Sequence, residues 1–261
     1  MNAAQKPRGA ELTTADDHVL AHDLAHEAGR RLLELRASGG DPDVLRKAGD
    51  RLSHEFLVAQ LAAERPGDHV LSEEAADDPA RLAADRVWII DPLDGTREFG
   101  EPGRTDWAVH VALWERRHGL ETGAVALPAQ GTTLSTAEPP PRAGEPPAGA
   151  CPARVVVSRT RAPEFVMRMG LDVVALGSAG AKAAAVILGE ADAYIHAGGF
   201  YEWDTAAPVA VARAAGFHAS RLDGAELRYN QADLLVPDIL VCHPAYAEVL
   251  LQAIEEALHA S

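Results

Sequence analysis

Four consecutive apolar residues, Val87-Trp88-Ile89-Ile90, run directly into Asp91-Pro92-Leu93-Asp94-Gly95-Thr96. A chain with this segment must build a sheet around a buried strand, and the strand's end must present two carboxylates, a glycine and a hydroxyl together. Proline fixes φ and lacks an N–H, so the strand is expected to stop at Pro92 and leave the Leu93 carbonyl free to turn toward a cation. Asp91 and Asp94 can then flank one ion or bridge two. Gly95 permits close approach of a ligand, and Thr96 can open a helix whose N-terminus favours an anion. The same composition also suits an ordinary turn in which the acids cap the backbone.

A second acidic element, Trp203-Asp204-Thr205-Ala206-Ala207, precedes a small-residue helical run from Pro208 to Ala215 that ends at Gly216. Asp204 is expected just before that helix, as an N-cap that can also face an ion.

Glu73-Glu74, Asp91-Pro92-Leu93-Asp94-Gly95-Thr96 and Trp203-Asp204-Thr205-Ala206-Ala207, in this order and spacing, resemble the inositol monophosphatase superfamily. Within it the chain is similar to the CysQ-type 3'(2'),5'-bisphosphate nucleotidases, through Leu71-Ser72-Glu73-Glu74, Thr96-Arg97-Glu98-Phe99, Val157-Ser158-Arg159 and Gly177-Ser178-Ala179-Gly180-Ala181-Lys182. The stretches Asp85 to Leu113, Gly177 to Ala207 and Ala219 to Asn230 look most like the actinobacterial branch. The resemblance spans roughly residues 14 to 258 and implies a layered α+β or α/β fold, an αβαβα sandwich.

At 261 residues with 47% hydrophobic content, the chain is long enough for one large domain or two closely packed ones. Its formal charge of −15 argues against nucleic-acid polymers and anionic membranes as partners. Cys151 and Cys242 lack metal-ligand spacing and read as reduced thiols. The polar stretch Met1 to Glu11 has no apolar signal core and no segment is long enough to span a membrane, so a cytoplasmic location is expected.

Thr13 or Thr14 can cap a first helix with Leu20, Leu24, Ala28, Leu32 and Leu35 on one side. His18, His22 and His26 lie along another side and are read as surface residues rather than a metal stripe. A second helical pattern runs through Leu52, Phe56, Ala59 and Ala63 to Pro66-Gly67-Asp68, with Asp50 just before it as an N-cap candidate. Strands are expected over 107–114, 124–127 and 132–136. Glu138 to Pro152 carries six prolines among fifteen residues and reads as a linker. The expected organisation is an N-terminal subdomain, 1–137, holding the metal and phosphate site, the linker 138–152, and a C-terminal α/β subdomain, 153–261, completing the pocket. In the latter, strands over 155–157, 173–176, 192–195 and 239–242 alternate with helices over 163–169, 179–188, after Trp203, and 244–258.

Converging carboxylates without His or Cys favour magnesium over zinc. The resemblance implies two or three Mg²⁺, with Glu73, Asp91 and the Leu93 carbonyl at one metal and Asp91, Asp94 and Asp204 at another. It implies that Thr96, supported by Asp50 and assisted by Glu73, orients and deprotonates the attacking water, and that Gly95 and Thr96 amides hold the scissile phosphate. Ser158, Arg159, Arg161, Ser178, Lys182 and His196 fall in blocks matching the nucleotidases, and with Arg97, Asp94, Asp204 and Glu202 they form the expected substrate contacts. Pro208, where relatives often carry Gly, is expected to alter local helix packing.

The activity so implied is hydrolysis of the 3'-phosphate of 3'-phosphoadenosine 5'-phosphate, and of its sulfated relative, in sulfur assimilation. Inhibition by Li⁺ and a homodimer are expectations of the same kind. The same chemistry on inositol phosphates or fructose bisphosphate, and a non-catalytic nucleotide-binding protein on this fold, are the rival readings.

Overall fold

The structure is a computed structural model that describes residues 14–142, 144–146 and 150–259. Two five-stranded sheets organise it. The first contains β1 (His69–Ser72), β2 (Arg86–Asp94), β3 (Ala108–Glu115), β4 (Gly119–Leu127) and β5 (Thr132–Ser135) in chain order. Its β1–β2 pair is parallel and the other pairs antiparallel. The second contains β6 (Arg154–Ser158), β7 (Asp172–Leu176), β8 (Ala193–Tyr201), β9 (His218–Ser220) and β10 (Leu235–Cys242), ordered β7-β6-β8-β10-β9. Here β6 runs parallel to β7 and β8, while β10 is antiparallel to β8 and β9.

Side-chain alternation along these strands sets the layers, because successive residues point to opposite faces. On β2, Trp88 and Ile90 join the core formed with α1 (Thr14–Ala37) and α2 (Pro42–Glu64). Val87 and Ile89 enter a different core, shared with α5 (Ala179–Ile187) and α6 (Glu202–Ala214). The second sheet closes that central core with Val156, Tyr194, Ile239 and Val241. Its other face packs Val155, Val157 and Ile195 against α4 (Glu164–Arg168) and α7 (Pro244–His259). The order is therefore αβαβα, the expected layering.

The central helices sit close to the first sheet because glycines face them. A Cβ built on Gly123 of β4 would lie 2.8 Å from Ala210 Cβ and 3.2 Å from Ala207 O of α6. One on Gly180 of α5 would lie 2.9 Å from Val125 Cγ1 and run into the His110 ring.

Several local expectations are corrected. β2 does not stop at Pro92 but continues to Asp94 through a register shift opposite β3. β1 pairs only as far as Ile90, so the missing Pro92 N–H deprives no strand of a partner on that edge. α2 starts at Pro42, capped by Asp41, whose carboxylate accepts from Asp43 and Val44 N–H. Asp50 therefore lies inside the helix, and the buried stripe is Gly49, Ser53, Leu57 and Leu61 rather than the one through Leu52 and Phe56. α6 starts at Glu202, which places Asp204 in its first turn rather than before it. Pro208 sits within α6 and removes one i→i−4 donor there. The proposed cap at Thr13 lies outside the described residues. His18 and His26 pair with Thr136 and Thr133 hydroxyls at 2.6 and 3.2 Å, away from the carboxylates. The described residues of 138–152 contain no helix or strand.

Candidate functional site

The end of β2 folds into a tight corner because each polar group there has a local partner. The Leu93 amide donates to Asp91 Oδ1 at 3.1 Å, and Gly95 takes φ +83°, a left-handed conformation that starts α3 (Thr96–Gly100). A Cβ on Gly95 would stand 3.2 Å from Asp106 O and from Ser178 Cβ, so the turn is also sterically reserved for glycine. Thr96 Oγ1 lies 3.0 Å from the Leu93 carbonyl oxygen and 3.3 Å from Asp50 Oδ1. One hydroxyl proton cannot serve both acceptors at once, so Thr96 donates to Asp50 or to the Leu93 carbonyl in turn.

The structure brings together carboxylate oxygens of Asp91, Asp94 and Asp204 within 4.8 Å of one another. Asp91 and Asp94 come from the corner; Asp204 comes from the first turn of α6, where Oδ2 also accepts the Tyr201 amide at 2.7 Å. Glu73, at the exposed rim just after β1, interacts with Asp91, Asp94 and Asp204. Like charge in a partly dry corner raises carboxylate pKa values. Burial, then Glu73, Asp94 and Asp204, hold Asp91 well above the ordinary range. Burial and Asp94 push Asp204 up to about 6, and desolvation with Asp204 and Asp94 pushes Glu73 to about 7. Asp50 is also pushed to about 7, by burial and by the charge of Glu74.

Asp94 goes the other way. Burial alone would raise it, but His110, Lys182 and Ser178 outweigh that and hold it low. Its Oδ2 receives Ser178 Oγ–H at 2.5 Å and Gly180 N–H at 2.8 Å. His110 Nε2 lies 3.1 Å away, near enough for charge attraction but not aligned for a hydrogen bond, and Nδ1 faces the Trp203 carbonyl at 3.2 Å. A crowd of hard oxygen donors, with Glu73, Asp91 and Asp204 raised in proton affinity, fits a divalent cation, which would relieve the repulsion among them.

Other expected contacts are used elsewhere. Lys182, 1% exposed, donates its ammonium to the Gly177 carbonyl and, at 2.8 Å, to that of Ser178; burial holds its pKa down to about 8. It braces the loop that carries Ser178 and lends positive charge to Asp94 and Asp204. Arg159 is committed to Glu98 and Glu101 of the α3 segment through four contacts of 2.7–3.0 Å. Glu202 is buried and accepts the Asn230 and Gln231 amides, each at 2.7 Å, so it holds a loop and not a substrate hydroxyl. Ser158 is buried with Oγ 3.4 Å from Thr160 Oγ1. His196 is buried, stacks on Phe200 at 3.7 Å, and has no hydrogen-bond partner on either ring nitrogen; burial, Lys182 and Arg161 hold it down to about 3, neutral at any working pH. Arg97 and Arg161 are exposed.

Two supporting residues escape a reading of the sequence. His110 is the one imidazole on β3, a polar interruption in the otherwise apolar run Ala108–Leu113 and so a visible signal. Asp106 accepts Gly177 N–H at 2.7 Å, and its carbonyl accepts Ser178 N–H at 3.2 Å. Nothing in its sequence neighbourhood marks that role.

The model of the inositol monophosphatase family matches residues 17–143 and 147–259. A 3'-phosphoadenosine 5'-phosphate phosphatase from Mycobacterium leprae is 51% identical, over 95% of each chain. The 3'(2'),5'-bisphosphate nucleotidase CysQ of Escherichia coli is 32% identical over 79% of this chain and 91% of its own. The crystal structure of CysQ from Bacteroides thetaiotaomicron superposes with a TM-score of 0.74 at 27% identity, covering 89% of this chain and 99% of that one.

Proposed function

Because this chain belongs to the inositol monophosphatase family, we propose that it is a magnesium-dependent phosphatase removing the 3'-phosphate of 3'-phosphoadenosine 5'-phosphate to leave AMP. The observation that carries the metal-dependent chemistry is the convergence of Asp91, Asp94 and Asp204 oxygens within 4.8 Å. The substrate is supported by the name of the 51% identical mycobacterial relative.

Glu73, Asp91, the Leu93 carbonyl, Asp94 and Asp204 are the proposed ligands of two or three magnesium ions. Bound magnesium supplies positive charge against which an anionic phosphate can approach these acids, and it acidifies water. Thr96 orients the attacking water and passes its proton to Asp50, whose Oδ1 lies 3.3 Å from its hydroxyl. Glu73 assists from the rim. Gly95 and Thr96 amides are proposed to hold the scissile phosphate. Arg97 and Arg161, the exposed cations among the expected contacts, are proposed to meet the second phosphate. Ser178 acts on the reaction through Asp94. Sulfur assimilation, lithium inhibition, a homodimer and a cytoplasmic location belong to the same proposal; no helix among the described residues is long and apolar enough to cross a membrane.

The test is phosphate release, with and without magnesium, from 3'-phosphoadenosine 5'-phosphate, inositol 1-phosphate and fructose 1,6-bisphosphate, compared by kcat/KM. A large preference for the nucleotide supports the proposal. Equal rates would replace it with a broad sugar-phosphate phosphatase, and no magnesium-dependent release from any of them would overturn it.

A further inference from the structure

Glu73 and Asp204 reach the cluster from opposite ends of the chain, and a buried guanidinium ties the two approaches together. Arg81, in the 3-10 turn Pro79–Ala83 that follows the Glu73 loop, is 1% exposed. It donates to Asp77 on its own loop at 2.6 and 3.0 Å. It also donates to Asn230 Oδ1 at 2.7 Å and to the Gln231 carbonyl at 2.9 Å, and Asn230 Nδ2 returns a bond to the Arg81 carbonyl at 3.2 Å. The Asn230 and Gln231 amides both donate to Glu202, the first residue of α6, one turn-position away from Trp203-Asp204. Asn230 holds φ +56°, the single positive φ outside glycine among the described residues. A left-handed side-chain residue persists where its surroundings over-determine it, which is what the three hydrogen bonds of Asn230 do.

We infer that Arg81, Asn230 and Glu202 form a positioning relay that fixes the Glu73 loop against the start of α6, and thereby sets how tightly the carboxylate cluster binds its cation. The inference rests on the metal reading given above. Partners that orient ligands from one shell out typically change metal affinity or activity by 10- to 100-fold when removed. Glu202 is 1% exposed and each of its oxygens accepts a loop amide, so it works on the loop from inside the protein. Arg81 faces protein on every donor that is paired, so its role is geometric rather than catalytic.

The experiment is calorimetric titration of the metal-free, full-length protein with Mn²⁺ in the absence of substrate, alongside the magnesium dependence of turnover. Asn230→Gly keeps the positive φ and the backbone amide to Glu202 but deletes both side-chain bonds to Arg81; Arg81→Met deletes the donors and keeps apolar bulk. Mn²⁺ affinity is expected to fall about 10-fold in each, the half-saturating magnesium concentration to rise in step, and kcat at saturating magnesium to stay within about twofold. A folded Asn230→Gly protein with wild-type Mn²⁺ affinity overturns the relay, even if its Tm is lower and whatever happens to Arg81→Met. Wild-type protein that binds no Mn²⁺ would instead overturn the metal reading; Asp94→Asn, expected to lose binding, separates the two results.

Discussion

The Ser178 hydroxyl donates to Asp94 Oδ2 at 2.5 Å, joining the N-cap of α5 to the end of β2. The same oxygen atom of Ser178 accepts the Ala181 amide at 3.0 Å, so one side chain both starts a helix and aims a carboxylate. Ser178→Ala should therefore cost about 1–2 kcal/mol of stability through the lost cap and also weaken magnesium activation. Thermal denaturation and a magnesium titration of turnover read the two effects separately.

Burial and the neighbouring Glu73, Asp94 and Asp204 disfavour the charged form of Asp91, so its ionised carboxylate is a source of repulsion. Asp91→Asn keeps the shape and removes one of the repelling charges. In chelator the variant should melt at a higher temperature than wild type, while magnesium-dependent turnover disappears. A lower Tm in chelator would mean that Asp91 is not a net source of repulsion.

The pH dependence of the metal-free protein follows from five raised acids, Asp91 among them. Asp50, Glu73 and Glu202 sit at about 7 and Asp204 at about 6, all above their unfolded values near 4. Between those limits the folded state binds more protons than the unfolded chain, so stability falls as pH rises from about 4 to about 7 and stays low above it. Lys182, held down to about 8, contributes the opposite slope only above that pH, and His196, held down to about 3, opposes the acids as one group below its ordinary 6.5. Tm in chelator should be higher at pH 5 than at pH 8, and magnesium should narrow the gap. Equal Tm values at the two pH values would contradict the crowding of the site.

Arg159 and Glu98 form a pair in which the carboxylate side chain is 6% exposed. Removing the guanidinium leaves that charge buried, so Arg159→Ala should destabilise by about 3 kcal/mol, more than it alters KM. Glu98→Gln added to Arg159→Ala should restore most of the lost Tm. A large rise in KM with unchanged stability would return Arg159 to the substrate.

The corner from Asp91 to Thr96 was legible because its residues are contiguous and each has a chemical reason to be there. Its partner Asp204 was legible through a second short motif, as was the layered fold through the same resemblance. Lys182, Arg159 and Glu202 have protein partners that the sequence does not show for a common reason: a charge in a matching block reads as facing the ligand until its counterpart is known. Those counterparts, the Gly177 and Ser178 carbonyls, Glu98 with Glu101, and the Asn230–Gln231 amides, are fixed only by folding. Asp50 reads as preceding a helix because the apolar pattern from Leu52 hides a start at Pro42, where Asp41 and the proline carry the signal. β1 and β9, at four and three residues, are too short for alternation to show.

The closeness of Gly123 to Ala207 and Ala210, and of Gly180 to His110, has a bearing on how such a site drifts. Asp204 rides on α6 and Ser178 on α5, so a single added methyl at either glycine would lift a helix away from the sheet that carries Asp91 and Asp94. The reach between the acids is set by atoms the chain omits. Lineages that gain bulk at these two positions would lose the geometry without touching any acid, leaving a complete motif in an idle protein.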